Sequence, residues 1–90
     1  MSSKMSDFGL FAAQVRAARG LLGWSQAQLA ENIGVSRSAI VDLESVKRRP
    51  HEGTVYVLVS EFMRAGVNFT GSGVEFSEYP PPPFKPLTRT

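Results

Sequence analysis

The most concentrated charged chemistry in this chain lies between residues 37 and 49. The stretch contains four basic residues against two acidic ones, Asp42 and Glu44. The basic residues are Arg37, Lys47, Arg48 and Arg49. Guanidinium and ammonium groups clustered in this way can bind the phosphates of a nucleic acid backbone. On charge alone a solvated surface loop is the better interpretation, and only the surrounding helices can decide between the two.

Other site chemistry lacks the residues that it requires. The chain has a single histidine, His51, and no cysteine, so disulfides and thiolate metal sites are excluded. No nucleophile motif and no paired carboxylates at a plausible spacing are present. Gly71-Ser72-Gly73 is too short to cradle a phosphate and is typical of a turn. We therefore expect no enzyme, no cofactor and no metal, and His51 is expected to cap a helix or lie near a phosphate.

Length and composition indicate one small globular domain. The 90 residues are 42% hydrophobic and 20% charged, with a net charge of +2, and such short chains often gain stability from an oligomer interface. No apolar run is long enough to span a bilayer, and the N-terminus lacks the apolar core of a signal peptide. Together with the absence of cysteine, this predicts a cytoplasmic protein with no membrane partner.

Apolar periodicity and helix-start signals predict four helices. Their approximate spans are 7–22, 26–33, 37–45 and 52–65. Ser25 and Gln28 form a capping box at the start of the second helix, and Gly34 supplies the left-handed residue that ends it. Ser36 then caps the third helix only two residues later. The apolar stripe of the fourth helix is expected to face the core, and it comprises Val55, Leu58, Val59, Phe62 and Met63.

Beyond Gly66 the apolar period changes from that of a helix to that of a strand. Residues 67–70 and 74–77 alternate apolar and polar side chains around the glycine-containing turn, which predicts a β-hairpin. Residues 80–90 hold all but one of the six prolines and should be extended or disordered. The sequence thus predicts a mainly α fold of four to five helices with a C-terminal β-hairpin and a flexible Pro-rich tail.

The second and third helices together form a predicted helix-turn-helix. Only Gly34-Val35-Ser36 separates them, and Ala30 is small enough to let them approach closely. In this arrangement the second of the two helices can enter a major groove while the first crosses the phosphate backbone. The geometry therefore favours the nucleic acid interpretation of the basic residues.

Residues 26–44 closely resemble the helix-turn-helix of the phage-repressor (Xre) family. The pattern is Gln26, Leu29-Ala30, Gly34-Val35-Ser36, Ile40 and Glu44, followed by a basic stretch and Pro50. The resemblance extends over about residues 10–62. The glycine that the family carries in the following loop is missing, because Glu44 is followed by Ser45-Val46.

The resemblance implies roles for individual residues. Those expected to read base edges are Arg37, Ser38 and Asp42. Those expected to contact the DNA backbone are Gln26, Ser36, Lys47, Arg48 and Arg49. Arg19 and Glu44 match a structural salt bridge of the family. The alternatives are a solvent-facing charge for Arg37 and a first-turn helix residue for Gln26, and Asp42 either accepts from a cytosine or holds Arg37.

The implied function is that of a bacterial or phage-encoded regulator that binds double-stranded DNA sequence-specifically, most often as a repressor. An antitoxin or restriction-modification controller of the same fold is an alternative, as is an antiactivator module that binds a protein. The implied division is a DNA-binding domain at 1–66, a dimerisation hairpin at 67–79 and a flexible tail at 80–90.

A homodimer on a palindromic operator is expected, because one helix-turn-helix reads only a few base pairs. The four helices are expected to have little apolar surface to spare, which leaves the hairpin as the dimerisation element. Its apolar residues are Val67, Phe69, Val74 and Phe76. Packing of this face on the fourth helix of the same chain is the alternative.

Overall fold

Four helices and a small hairpin make up the fold. The computed structural model describes residues 4–84, with side chains from residue 8 onward. The helices are α1 (Lys4–Leu22), α2 (Gln26–Ile33), α3 (Arg37–Glu44) and α4 (Glu52–Arg64). Strands β1 (Val67–Phe69) and β2 (Val74–Phe76) pair antiparallel. The predicted mainly α fold with a C-terminal β-hairpin is confirmed, and no described helix has the length and apolarity needed to cross a membrane.

The two central helices begin where their capping residues predict. The backbone N–H of Gln28 donates to Ser25 Oγ at 3.0 Å, and that of Ser25 donates to Gln28 Oε1 at 3.0 Å. The N–H of Ala39 donates to Ser36 Oγ at 3.1 Å. Gly34 adopts φ +77°, and its N–H caps the Ala30 carbonyl at 2.9 Å. Because each signal acts within a few residues, the positions of α2 and α3 were readable from the sequence.

A single hydrophobic core lies between the helices and the hairpin. Its largest fully buried side chains are Phe62, Leu29, Ile40, Leu58, Val15 and Val67. Burial of each such side chain contributes about 1.5–3 kcal/mol. Met63, expected in this core, is 56% exposed. That prediction was wrong because α4 buries the side marked by Leu58 and Phe62, and Met63 lies one residue, about 100°, further around the helix.

The hairpin packs on its own chain. Val67 is completely buried, and the Phe69 ring lies 5.7 Å from that of Phe62 and 5.9 Å from that of Phe11. The buried side chain of Gln14 on α1 holds the turn, since its Nε2 donates to the Thr70 carbonyl at 2.8 Å and to the Gly73 carbonyl at 2.9 Å. The helices and the hairpin therefore share one core.

The first part of the Pro-rich tail lies against the body of the protein. The Phe84 ring lies 4.8 Å from the Trp24 ring. Gly66 adopts φ +95°, and a Cβ atom on it would come within 3.0 Å of Pro82 Cδ. Residues 85–90 of the tail lie outside the described residues, so their flexibility stays a prediction.

Candidate nucleic-acid interface

The helix-turn-helix presents the start of α3 at the surface. Leu29 and Ala30 of α2 and Ile40 of α3 are buried where the two helices meet. The turn between them is closed by a hydrogen bond from the Val35 N–H to the Ala30 carbonyl at 3.0 Å. Of the three residues implied to read bases, Arg37 and Ser38 are exposed and Asp42 is half-buried. All three belong to one helix, which is the arrangement that a groove-reading helix requires.

An ion pair joins α1 to the end of α3. Arg19 Nε lies 2.6 Å from Glu44 Oε2, and Arg19 Nη2 donates to Glu44 Oε1 at 2.8 Å. The Glu44 side chain is only 4% exposed and that of Arg19 20%. The hydrogen bond that Arg19 donates to Glu44 raises the pKa of Arg19 above its usual value, and it outweighs the opposite effect of burial. A bidentate, largely buried pair of this kind fixes the angle between two helices.

Hydrogen bonds extend this ion pair to the start of α3. Gln26 Nε2 donates to Glu44 Oε1 at 3.1 Å, and Arg37 Nη2 makes a long hydrogen bond of 3.5 Å to Gln26 Oε1. We name the four residues Arg19, Glu44, Gln26 and Arg37 the polar network. No ion pair joins Arg37 to Asp42 among residues 8–84, so Gln26 rather than Asp42 is the partner of Arg37.

Two further polar residues contribute, and no role was predicted for either of them from the sequence. Arg16 Nη1 donates to the main-chain carbonyl of Glu44 at 2.5 Å, which caps the C-terminal end of α3. Gln14 holds the hairpin turn. The available signal was that Gln14, Arg16 and Arg19 all lie off the apolar stripe of α1 within one and a half turns. At 100° per residue Gln14 lies on one flank of that apolar stripe and the two arginines lie on the other, so only the packing of the hairpin and of α3 reveals their separate uses.

The loop after α3 begins with a Schellman motif. The N–H of Val46 donates to the Leu43 carbonyl at 3.0 Å, and that of Lys47 donates to the Asp42 carbonyl at 2.8 Å. Val46 occupies the left-handed position, with φ +60°. Glycine normally serves there, because a β-branched side chain is strained in this conformation. In the absence of a glycine, Val46 takes the left-handed position itself and carries the strain.

The basic residues of this loop divide into two groups. Lys47 and Arg48 are exposed. Arg49 is exposed as well, but its guanidinium carbon lies 4.8 Å from the centre of the Phe8 ring, in a cation–π contact with α1. His51 is the N-cap residue of α4, but its side chain makes no capping hydrogen bond.

The residues expected to form a dimer lie partly in the core. Val67 is fully buried, and Phe69, Val74 and Phe76 are half-buried against the core. The helices were expected to have little apolar surface to spare, and α4 leaves 74% of Tyr56 and 56% of Met63 exposed. No group of three His, Asp or Glu residues that could hold a metal ion occurs in the described part of the chain.

A comparison with protein families gives the same assignment. Residues 15–62 match the model of a helix-turn-helix family. The match covers more than half of the chain and includes the polar network and the basic loop. No curated protein matches the chain. The fold, the capped helix pair and this match lead to one conclusion: the chain belongs to the phage-repressor-like (Xre-like) helix-turn-helix family of DNA-binding transcriptional regulators.

Proposed function

We propose that the protein is a repressor that binds a palindromic operator in the cytoplasm as a homodimer. The observation that carries this proposal is the placement of Arg37. Its side chain is exposed at the first residue of α3, its guanidinium donates to Gln26 at 3.5 Å, and Gln26 in turn donates to the buried Glu44. A cation positioned before DNA arrives loses less conformational entropy on binding.

Base reading is assigned to the exposed face of α3. Arg37 can donate two hydrogen bonds to a guanine edge, and Asp42 can accept from the amino group of a cytosine. Ser38 can pair with either kind of base. Since Asp42 is not engaged by Arg37, its carboxylate is available for this role.

Backbone contacts are assigned to both helix starts and to the basic loop. Gln26 and Ser36 stand at the N-termini of α2 and α3, where the helix dipole favours a phosphate. Lys47 and Arg48 are exposed in the loop after α3. Arg49 is retained as a backbone contact, although Phe8 constrains its guanidinium. A double variant Lys47→Ala/Arg48→Ala should therefore flatten the log–log salt dependence of binding by about 0.9 per lost phosphate contact, and Arg49→Ala should flatten it less.

Dimerisation is assigned to the hairpin. The open strand edges can still pair with a second chain. Of the apolar set, Phe69, Val74 and Phe76 retain partial exposure, whereas Val67 can act only by holding β1 in place. Truncation after Gly66 would remove a core residue, so point variants are the better test. Phe76→Ser should reduce self-association in sedimentation, whereas Met63→Ser on the exposed face of α4 should not. The reverse result would assign the dimer to α4.

Selection of duplexes from a random-sequence pool tests the function as a whole. The expected result is a palindromic motif whose half-sites lie about one helical turn apart. Arg37→Ala should then lose about 1–3 kcal/mol of discrimination at one base position per half-site, whereas Lys47→Ala should weaken binding to all sequences alike. Absence of any enriched motif would reject sequence-specific binding, and uniform weakening by Arg37→Ala would assign that residue to the backbone.

A further inference from the structure

The only tryptophan of the chain lies between two phenylalanine rings from distant parts of the sequence. Trp24 stacks on Phe62 of α4, with ring centres 5.5 Å apart and planes inclined by 22°. Trp24 also contacts Phe84, with ring centres 4.8 Å apart and planes inclined by 52°. Both distances fall within the range in which aromatic pairs attract each other. Trp24, in the turn before α2, is therefore held by the C-terminal segment, which we define as residues 79–84.

Several independent contacts bring the C-terminal segment to this place. Gly66 has no side chain where Pro81 and Pro82 approach, and a Cβ there would lie 3.2 Å from Pro81 Cβ and 3.0 Å from Pro82 Cδ. The guanidinium carbon of Arg64 lies 5.6 Å from the centre of the Phe84 ring. Arg64 is itself oriented by Glu61, at 3.1 Å. The position of Phe84 is therefore set by α4 and by the turn that follows it.

Trp24 in turn is bonded to the polar network. Its carbonyl accepts a hydrogen bond from Arg19 Nη1 at 2.9 Å, and its N–H donates to the Arg19 carbonyl at 3.0 Å. The next residue, Ser25, is the N-cap of α2, and Gln26 follows as the first residue of the helix. A displacement of Trp24 would thus move both the start of α2 and the guanidinium that holds Glu44.

We propose that Phe84 is a positioning residue for DNA binding. By packing on Trp24 it fixes the start of α2 and the orientation of Arg19, and through Glu44 and Gln26 the orientation of Arg37. The effect on DNA rests on the proposed function. The effect on the polar network does not, so the two can be tested separately. The C-terminal segment is then part of the DNA-binding unit, although it lies outside the helix-turn-helix.

Trp24 fluorescence tests the packing directly, because the chain has no other tryptophan. Phe84→Ala in the full-length protein should shift Trp24 emission to longer wavelength and increase its quenching by acrylamide. Tyr79→Ala is the matched control, since it removes a ring of the same segment that contacts Phe76, at 5.1 Å, and is 78% exposed. It should leave both readings unchanged. Equal spectra for Phe84→Ala and wild type would overturn the proposal.

Arginine side-chain NMR tests the coupling without DNA. Phe84→Ala should shift the Arg19 Nε–H resonance and speed its exchange with water, while the circular dichroism of the helices is retained. Phe84→Tyr keeps the ring and should therefore give the wild-type Arg19 signal. If Phe84→Ala unfolds, a displaced Arg19 signal in Phe84→Tyr would still contradict the proposal. An Arg19 signal that is unchanged while Trp24 becomes exposed would limit Phe84 to local packing and overturn the positioning role.

DNA affinity gives the final readout, with the selected duplex as probe. Phe84→Ala should weaken binding about two- to tenfold, the range to which the free energy of one aromatic pair converts. The slope of the salt dependence should stay constant, because no phosphate contact is removed. Wild-type affinity for a Phe84→Ala protein with a displaced Arg19 would overturn the link to DNA binding. A wild-type protein that selects no duplex would instead reject the proposed function and leave the NMR result to decide on the network.

Discussion

The helix-turn-helix and the C-terminal hairpin are held in place by different forces. Between α1, α2 and α3 the decisive contacts are polar and directional, with a bidentate ion pair at Glu44 and hydrogen bonds to Gln26 and Arg16. The hairpin is held by burial of Val67 and by ring contacts of Phe69. Its described side-chain hydrogen bonds to the helices come from Gln14 alone.

The difference matches what each region has to do. A surface that reads base edges needs side chains within a few tenths of an ångström, and directional bonds supply that precision. A hairpin that completes a core needs only to exclude water, and apolar contacts achieve this without strict angles. A change in a polar contact should therefore alter the helix-turn-helix as a unit, while a change in the hairpin should act on the shared core.

The largest effect is expected from Glu44→Ala. Removal of the carboxylate leaves Arg19 and Gln26 without their partner in a mostly buried site, and loss of one member of such a pair costs about 3 kcal/mol. Urea unfolding should show the loss, and hydrogen exchange should accelerate in α2 and α3. Glu44→Gln keeps hydrogen-bonding atoms and should therefore lower the free energy of unfolding by less. Equal losses would show that volume rather than hydrogen bonding matters at this position.

The pH dependence of this pair follows from the direction of its pKa shift. The folded-state pKa of Arg19 is raised, so its contribution to stability is present below the unfolded value and is lost only as pH rises through the folded one. Both values lie above the range in which proteins stay folded. The contribution of Arg19 should thus be constant between pH 6 and about 10, measured as the difference in unfolding free energy between wild type and Arg19→Met.

A smaller loss is expected from Gln14→Ala, in the other region. The variant removes two side-chain hydrogen bonds at the turn, and only the Gly73 carbonyl keeps another donor, the Thr70 N–H, so the cost should be about 1–2 kcal/mol. Amide exchange should accelerate first in the hairpin turn, while α2 and α3 stay protected. Exchange that accelerates equally in both regions would mean that the hairpin and the helix-turn-helix unfold as one unit and do not respond separately to mutation.

Ser25→Ala and Ser36→Ala form a matched pair within the helix-turn-helix. Each removes one N-cap hydrogen bond, and each should lower the free energy of unfolding by about 1 kcal/mol. Ser25→Ala should cost slightly more, because the capping box with Gln28 is lost as well. Thermal unfolding measures both. Losses below the experimental error would show that packing, not capping, sets where α2 and α3 begin.

The smallest effect, and the only stabilising one, is expected from Val46→Gly. Relief of the left-handed strain contributes about 1–2 kcal/mol, and the greater freedom of glycine in the unfolded chain offsets about 0.5–1 kcal/mol. The net gain should be about 0.5 kcal/mol. Val46→Ala is the control, since it keeps the strain. A loss of stability in Val46→Gly would show that the valine side chain contributes to packing in the native loop.

The sequence by itself determined the elements whose signals act over short distances. Caps and the left-handed glycine place α2 and α3, because each bond joins residues within one turn. The Arg19–Glu44 pair was available only through family resemblance, since nothing in the local sequence joins residues 25 positions apart.

Only the tertiary structure decided the uses of side chains that contact distant parts of the chain. The local sequence gives no sign that Gln14 holds the hairpin turn or that the Arg49 guanidinium packs on the Phe8 ring. The same holds for Phe84, whose partner Trp24 lies far from it in the sequence. Such contacts depend on how the helices pack, and packing is a property of the whole chain that capping residues and apolar periodicity, which act within a few residues, do not report.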